Sequence, residues 1–370
     1  MKTRLTEMFG IEVPIFAFSH CRDVVVEVSK AGGFGVLGVG YFTPEQLREE
    51  LNWIESHIEG RPYGIDILLP GRYQQIDTPH VTPKDVPKLQ ADYMRAYLDA
   101  GGIPRLPEDY AEEMIAEAIR TIQMTREQSL ELLRISLDYD IKLVVNALGA
   151  PPKELVDDLH ARGIKVGGVV GKVEHARKHQ DAGVDLLVAQ GSEAGGHTGT
   201  VTSMLLWPQV VDVVHPLPVV AAGGIGSGRH MAAALSLGTE GVWCGSIWLT
   251  TTESETIPEV KQRLLEAKSE DAVQRKARTG KPVRVLRSKL MDAFEQPGAP
   301  PTLPMPLQTA TMMESNLRVE RSRHKDWVYS PVGQVVGMMT QELTCRQVMY
   351  NLLNEYVDAV ERVDGINADA

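Results

Sequence analysis

The chain has 370 residues, 43% hydrophobic and 24% charged, with a formal net charge of −11. These are the proportions of a globular chain with a large core rather than a disordered one, and the acidic balance argues against nucleic acid as a partner. The opening MKTRLTEMFGIEVPIF has no apolar signal segment, and no stretch reaches the roughly 18 uninterrupted apolar residues of a membrane span, so a cytoplasmic protein without membrane contact is expected.

In chain order, strand-length apolar runs occur at VPIFAF (13–18), GFGVLG (33–38), PYGIDILL (62–69), IKLVVNAL (141–148), IKVGGVV (164–170), VDLLVAQ (184–190), LPVVAAGGI (217–225) and TEGVWCGS (239–246). They lie between Gly or Pro signals and lack the polar alternation of half-exposed antiparallel strands. Helical patterns such as PEQLREELNWIESHIEG and RHMAAALSLG separate most of them, as βαβ units require. Eight such strands close a (β/α)8 TIM barrel, which with insertions reaches this length. The expected division is therefore a barrel over 1–250 with two departures from the simple repeat. Residues 71–135, from GRYQQIDTPHVTPKDVP into helical patterns, form a long helical insertion after strand 3. An insertion there shapes or covers a pocket, or else serves packing and subunit contacts. Residues 251–370 form a helical C-terminal extension with a Pro-rich linker, EQPGAPPTLPMPL, and an amphipathic last helix. That helix and the insertion are the candidate surfaces for a homo-oligomer.

Three cysteines, Cys21, Cys244 and Cys345, lack CxxC spacing and support neither a disulfide framework nor a metal site. GGFGVLG carries Gly33, Gly35 and Gly38 at dinucleotide-fingerprint spacing, but the glycines interrupt a strand instead of following one and opening a helix. The run VVAAGGIGSGRHMAAALSLG is different: an apolar strand enters Gly223, Gly224, Gly226 and Gly228 before a helix. Backbone N–H groups there can face a phosphate unobstructed. With Gly245 and Ser246 ending strand 8, this is where such barrels hold phosphates. Of ten histidines, those at 160, 175, 179 and 230 read as surface residues of polar helices, and His20 follows strand 1. His197 sits in the glycine loop QGSEAGGHTG after strand 6, where an imidazole can take a substrate proton.

QGSEAGGHTG (190–199), AAGGIGSGRHMAAALSLGTEGVWCGS (221–246) and ARTGKPVR (277–284) resemble the nitronate monooxygenase family, formerly 2-nitropropane dioxygenases. The likeness runs more weakly from TRLTEMFGIEVPIF to PVGQVVGM (331–338). The resemblance implies an FMN-dependent TIM barrel in which Gln190 and Gly195 contact FMN and Gly224, Trp243, Cys244, Gly245 and Ser246 lie along its phosphate, next to the Gly223 of the same cradle. It further implies that Phe18, Ser19 and His20 border the flavin ring and that His197 is catalytic. FSH (18–20) stands where the family has APM, and Asp66 where an asparagine commonly ends strand 3; an ionised Asp66 beside the ring would disfavour an anionic reduced flavin. The implied reaction is oxidation of a small-molecule alkyl nitronate to a carbonyl compound and nitrite with O2. The alternative is NAD(P)H-dependent reduction of an enoyl thioester or quinone, because related reductases share the motifs.

Overall fold

The computed structural model describes residues 1–69, 81–122 and 125–368. Eight parallel strands close the barrel: β1 (Ile15–Ser19), β2 (Phe34–Gly38), β3 (Tyr63–Ile67), β4 (Leu143–Asn146), β5 (Lys165–Val170), β6 (Leu186–Gln190), β8 (Val219–Ala222) and β9 (Gly241–Cys244). A short β7 (Gly196–His197) lies outside the barrel between β6 and β8. All eight apolar runs are barrel strands. They read as continuous apolar stretches because both faces are covered: on β1, Ile15 and Ala17 meet the helices while Phe16 and Phe18 fill the barrel.

Helices α2 (Arg22–Lys30), α3 (Pro44–His57), α7 (Lys153–Ala161), α8 (Val173–Ala182), α9 (Ser203–Val214) and α10 (Gly228–Ser236) follow successive strands. Their starts are written locally: Thr43 and Gln46 cap α3 reciprocally around Pro44, and Leu47, Leu51 and Ile54 form its buried face. Helix α1 (Arg4–Phe9) plugs the N-terminal end of the barrel, with the Phe9 ring 5.8 Å from Phe16 and 4.7 Å from Phe34. The glycines of GGFGVLG serve packing: Cβ atoms would meet Met349 Cε at 2.9 Å from Gly33 and His20 Cε1 at 2.6 Å from Gly38, and would overlap the Val25 carbonyl from Gly35.

After β3 the chain forms α4 (Lys88–Ala100), α5 (Ala111–Ile122) and α6 (Arg126–Ser136). Helix α6 packs on α3 and β3 and so belongs to the barrel's outer ring, whereas α4 and α5 pack on α12 (Leu307–Ser322) of the extension. The stretch 70–80, which includes most of GRYQQIDTPHV, and residues 123–124 lie outside the described residues. The extension also contains α11 (Pro258–Glu266) and a hairpin of β10 (Ala272–Arg275) and β11 (Val283–Leu286), a strand pair that the sequence reading did not anticipate. The last helix, α13 (Cys345–Ala368), returns to pack on α10 and α2. Among the described residues, no helix is long and apolar enough to cross a membrane.

Candidate functional site

Residues that point inward at the C-terminal ends of the strands form a floor. Period-2 alternation puts Asp66 inward, since Tyr63, Ile65 and Ile67 of β3 all pack outward, and puts Gln190 inward after Leu186 and Val188. Phe18 and Trp243 join them, their rings nearly parallel at 6.2 Å and 22°. Asp66 is buried, and removal from water pushes its pKa well above the usual carboxylate range. The neutral acid is therefore favoured, which removes the conflict between a carboxylate and a reduced flavin.

One side of the mouth is backbone. Gly223 and Gly224 follow β8 at φ +90° and +74°, in the left-handed region that glycine enters without penalty. A Cβ on Gly224 would meet nothing closer than Glu193 Oε1 at 4.0 Å, so this glycine fronts open space. Glu193 ties the neighbouring loop down: its carboxylate accepts the Ser203 N–H at 3.0 and 3.1 Å, at the start of α9. Gly245 leaves 3.7 Å between its Cβ position and Phe18 Cδ1, and the Ser246 hydroxyl accepts the Gly333 N–H at 2.9 Å. The Cys244 thiol packs in the layer between barrel and helices, and burial pushes its pKa up to about 12, so only its backbone reaches this side. The start of α10 is already occupied: Gly228 N–H donates to Glu355 of α13 at 2.8 Å.

The extension builds the opposite side. Strand β11 pairs antiparallel with β7, Val283 opposite His197 and Arg284 opposite Gly196. Arg284 ties the β6 loop to β10, donating to the carbonyls of Ser192 (3.0 Å) and Ala272 (2.7 Å). Gly195 permits close approach, because a Cβ there would lie 2.8 Å from Val332 Cα. His197 stays accessible, and its Nε2 lies 2.9 Å from Thr279 Oγ1. Partial loss of hydration, then the charges of Arg278 and Lys281, lower its pKa, which favours the neutral imidazole at pH 7. His20 follows Ser19, whose hydroxyl accepts the Cys21 N–H at 3.0 Å. The His20 Nδ1 is 2.8 Å from the Gly38 carbonyl, its ring stands edge-on to Phe18, and burial lowers its pKa too.

Every site residue singled out in the sequence thus lies at or beside the C-terminal end of the barrel. Arg278 and Thr279 lie in the ARTGKPVR motif, but neither they nor Tyr329 carry a local signal that points to the site. Thr279 comes to His197 through the pairing of β11 with β7, and the charge of Arg278 acts on both His197 and Tyr329. Of the helical histidines read as surface residues, His179 is instead buried beside Gly168, and His230 holds the β8 loop, its Nδ1 accepting the Gly226 N–H at 3.1 Å.

The glycine cradle and the aromatic, polar floor fit a phosphate-bearing planar cofactor such as a flavin. A family model described as nitronate monooxygenase matches residues 2–355. The chain is 43% identical over 376 aligned residues to the Mycobacterium tuberculosis protein Rv1533, covering 99% of each. It is 31% identical over 312 residues to a Staphylococcus saprophyticus protein named probable nitronate monooxygenase, covering 80% of this chain and 81% of the relative. Among solved structures, nitroalkane oxidase from Streptomyces ansochromogenes superposes with a TM-score of 0.78 at 25% identity, over 98% of this chain and 100% of the other. FabK from Thermotoga maritima superposes at 0.73 and 26%, over 99% of each. The fold, the site and these likenesses together make this chain a member of the nitronate monooxygenase family of flavin-dependent oxidoreductases.

Proposed function

We propose that the flavin is FMN and that the enzyme oxidises small alkyl nitronates to carbonyl compounds and nitrite with O2. The observation that carries this reading is His197 held against Thr279 at 2.9 Å, with Arg278 and Lys281 as its charged neighbours, at the rim of a mouth whose floor is Phe18, Trp243, Asp66 and Gln190. Bound FMN supplies the transfer of electrons between substrate and O2. Gly223, Gly224, Gly245 and Ser246 would hold its phosphate through backbone N–H groups. Phe18, Trp243, Asp66 and Gln190 would lie under or beside its ring, with His20 closing one edge. His197 would face the substrate and hold or move a proton there, and the positive surroundings favour an anionic substrate over a neutral one. The three cysteines are buried and unpaired, which suits the reducing cytosol.

The decisive experiment mixes the FMN-loaded protein anaerobically with ethyl nitronate, NADH or NADPH and follows the flavin absorbance. Bleaching by the nitronate alone, with nitrite formed once air is admitted, is the expected result. Fast bleaching by a nicotinamide would overturn it in favour of an NAD(P)H-dependent reductase of an enoyl thioester or quinone.

A further inference from the structure

The Thr279 hydroxyl has one proton and three neighbours. His197 Nε2 is at 2.9 Å, and the Lys281 N–H and the Lys281 carbonyl are each at 3.4 Å. The Lys281 N–H occupies an oxygen lone pair, and a carbonyl at 3.4 Å is a poor acceptor beside a ring nitrogen at 2.9 Å. A hydroxyl proton directed to Nε2 along this shortest contact places the ring's own proton on Nδ1. Thr279 is buried, and Gly280, at φ +78°, makes the turn that presents it. In that tautomer His197 offers a donor through Nδ1, which has no partner among the described residues.

The adjacent residue supplies a second donor. Arg278 is half-buried, and among the described residues its guanidinium has neither a hydrogen bond nor an ion pair, in a chain with eleven more formal negative charges than positive. It directly precedes Thr279 in the chain, and its charge acts on both His197 and His20, which puts it on the same side of the mouth as these two rings. The charged groups acting on His197 are Arg278 and Lys281, both cations, with no carboxylate opposing them.

We infer that His197 Nδ1–H and the Arg278 guanidinium together receive a small anion with two oxygens, and that Thr279 is the positioning residue that holds the imidazole as a donor. Within the function proposed above, the anion is the substrate's own nitronate group, whose charge is shared between two oxygens and suits a guanidinium fork. A neutral nitroalkane would meet an imidazole whose lone pair is already engaged, so the substrate enters as the preformed nitronate.

The test uses the protein as purified, with histidine labelled in 15N and the His197 signals identified by their loss in His197→Asn. At pH 7 the Nδ1 signal should be that of a protonated nitrogen, and sodium nitrate, a planar oxyanion that is not turned over, should shift it. Arg278→Gln should weaken nitrate binding about tenfold to hundredfold, the scale of a charge-assisted hydrogen bond, and should lower kcat/KM for ethyl nitronate by a similar factor. Arg278→Lys should lose less. Thr279→Ser should keep the Nδ1 proton and Thr279→Val should release it, shifting the pH profile of kcat/KM. An Nε2-protonated ring in the unmodified protein, or unchanged nitrate affinity in Arg278→Gln, overturns the inference. Loss of the Nδ1 proton in Thr279→Ser as well as Thr279→Val removes the part assigned to Thr279. Bleaching by a nicotinamide instead of a nitronate would overturn the proposed function while the nitrate titration still decides whether the anion site exists.

Discussion

Substituting Gly224 by alanine separates backbone strain from cofactor binding, because Gly10 provides a matched control. Gly224 has φ +74° and Gly10 has φ +66°; a Cβ at Gly10 would meet nothing within 4 Å, and one at Gly224 only Glu193 Oε1 at 4.0 Å. Each alanine therefore adds left-handed strain without a clash, and each variant should lose about 1–2 kcal/mol of unfolding free energy. Gly10 caps α1 at the plugged end of the barrel, far in sequence and structure from the cradle. At Gly224 the new methyl projects into the space proposed for the FMN phosphate, whose oxygens would come within about 2.9 Å of backbone N–H groups. Losing one hydrogen bond to a charged group costs about 1.5–3 kcal/mol, which weakens FMN binding by roughly 10- to 150-fold. Urea denaturation of the flavin-free variants should show similar losses, and titration followed by flavin fluorescence should show weakened binding in Gly224→Ala alone. An unchanged FMN affinity in Gly224→Ala, or an equal loss in Gly10→Ala, would refute the placement of the phosphate.

Asp66→Asn should stabilise the fold increasingly as pH rises above the unfolded carboxyl's 3.8. The raised pKa means that the native chain keeps a proton the unfolded chain releases above 3.8, so wild-type stability falls with rising pH until Asp66 itself ionises. Urea midpoints at pH 4.5 and 7 check this, and an offset independent of pH would contradict it. His179 behaves oppositely: buried with its pKa lowered to about 4, it binds its proton less readily than the unfolded chain does, and stability drains away as pH falls from 6.5 toward 4. The full effect is on the order of 3 kcal/mol, and the acid limb of a stability–pH curve should flatten in His179→Leu. Arg318 is buried in α12, donating to Asp99 (2.6 Å) and to the carbonyls of Ile103 (2.5 Å) and Pro104 (3.0 Å). Arg318→Ala should cost about 3 kcal/mol, the low end for breaking a buried pair, because Asp99 keeps Arg105 at 2.6 Å. Limited trypsin digestion should then cut first within 88–122 while the barrel persists; cleavage no faster than wild type would show that other contacts hold the insertion.

The barrel was legible in the sequence because its signals are local. A parallel strand covered on both faces must be apolar throughout, so Ile15–Ser19 or Leu186–Gln190 reads as a strand without knowledge of its neighbours. The glycine cradle was legible for the same reason: the left-handed angles at Gly223 and Gly224 are properties of single residues. His197 was found from the loop that carries it. Its partner was not, since Thr279 lies 82 positions away and reaches it only because β11 pairs with β7. Likewise Glu355 meets Gly228 across 127 positions because α13 returns to α10. Two side chains show how tertiary packing decides what residue type leaves open. Strand alternation turns the Cys244 thiol away from the mouth into the helical layer, and the missing side chain at Gly168 makes room for His179 in the core, although its helix reads as polar. Local conformation and burial pattern were thus set by the sequence alone, because backbone angles and side-chain alternation depend on near neighbours. The burial that raises the Asp66 pKa, the contact of His197 with Thr279 and a half-buried Arg278 with no ion pair among the described residues were decided only by the fold, because each depends on groups that the chain brings together from a distance.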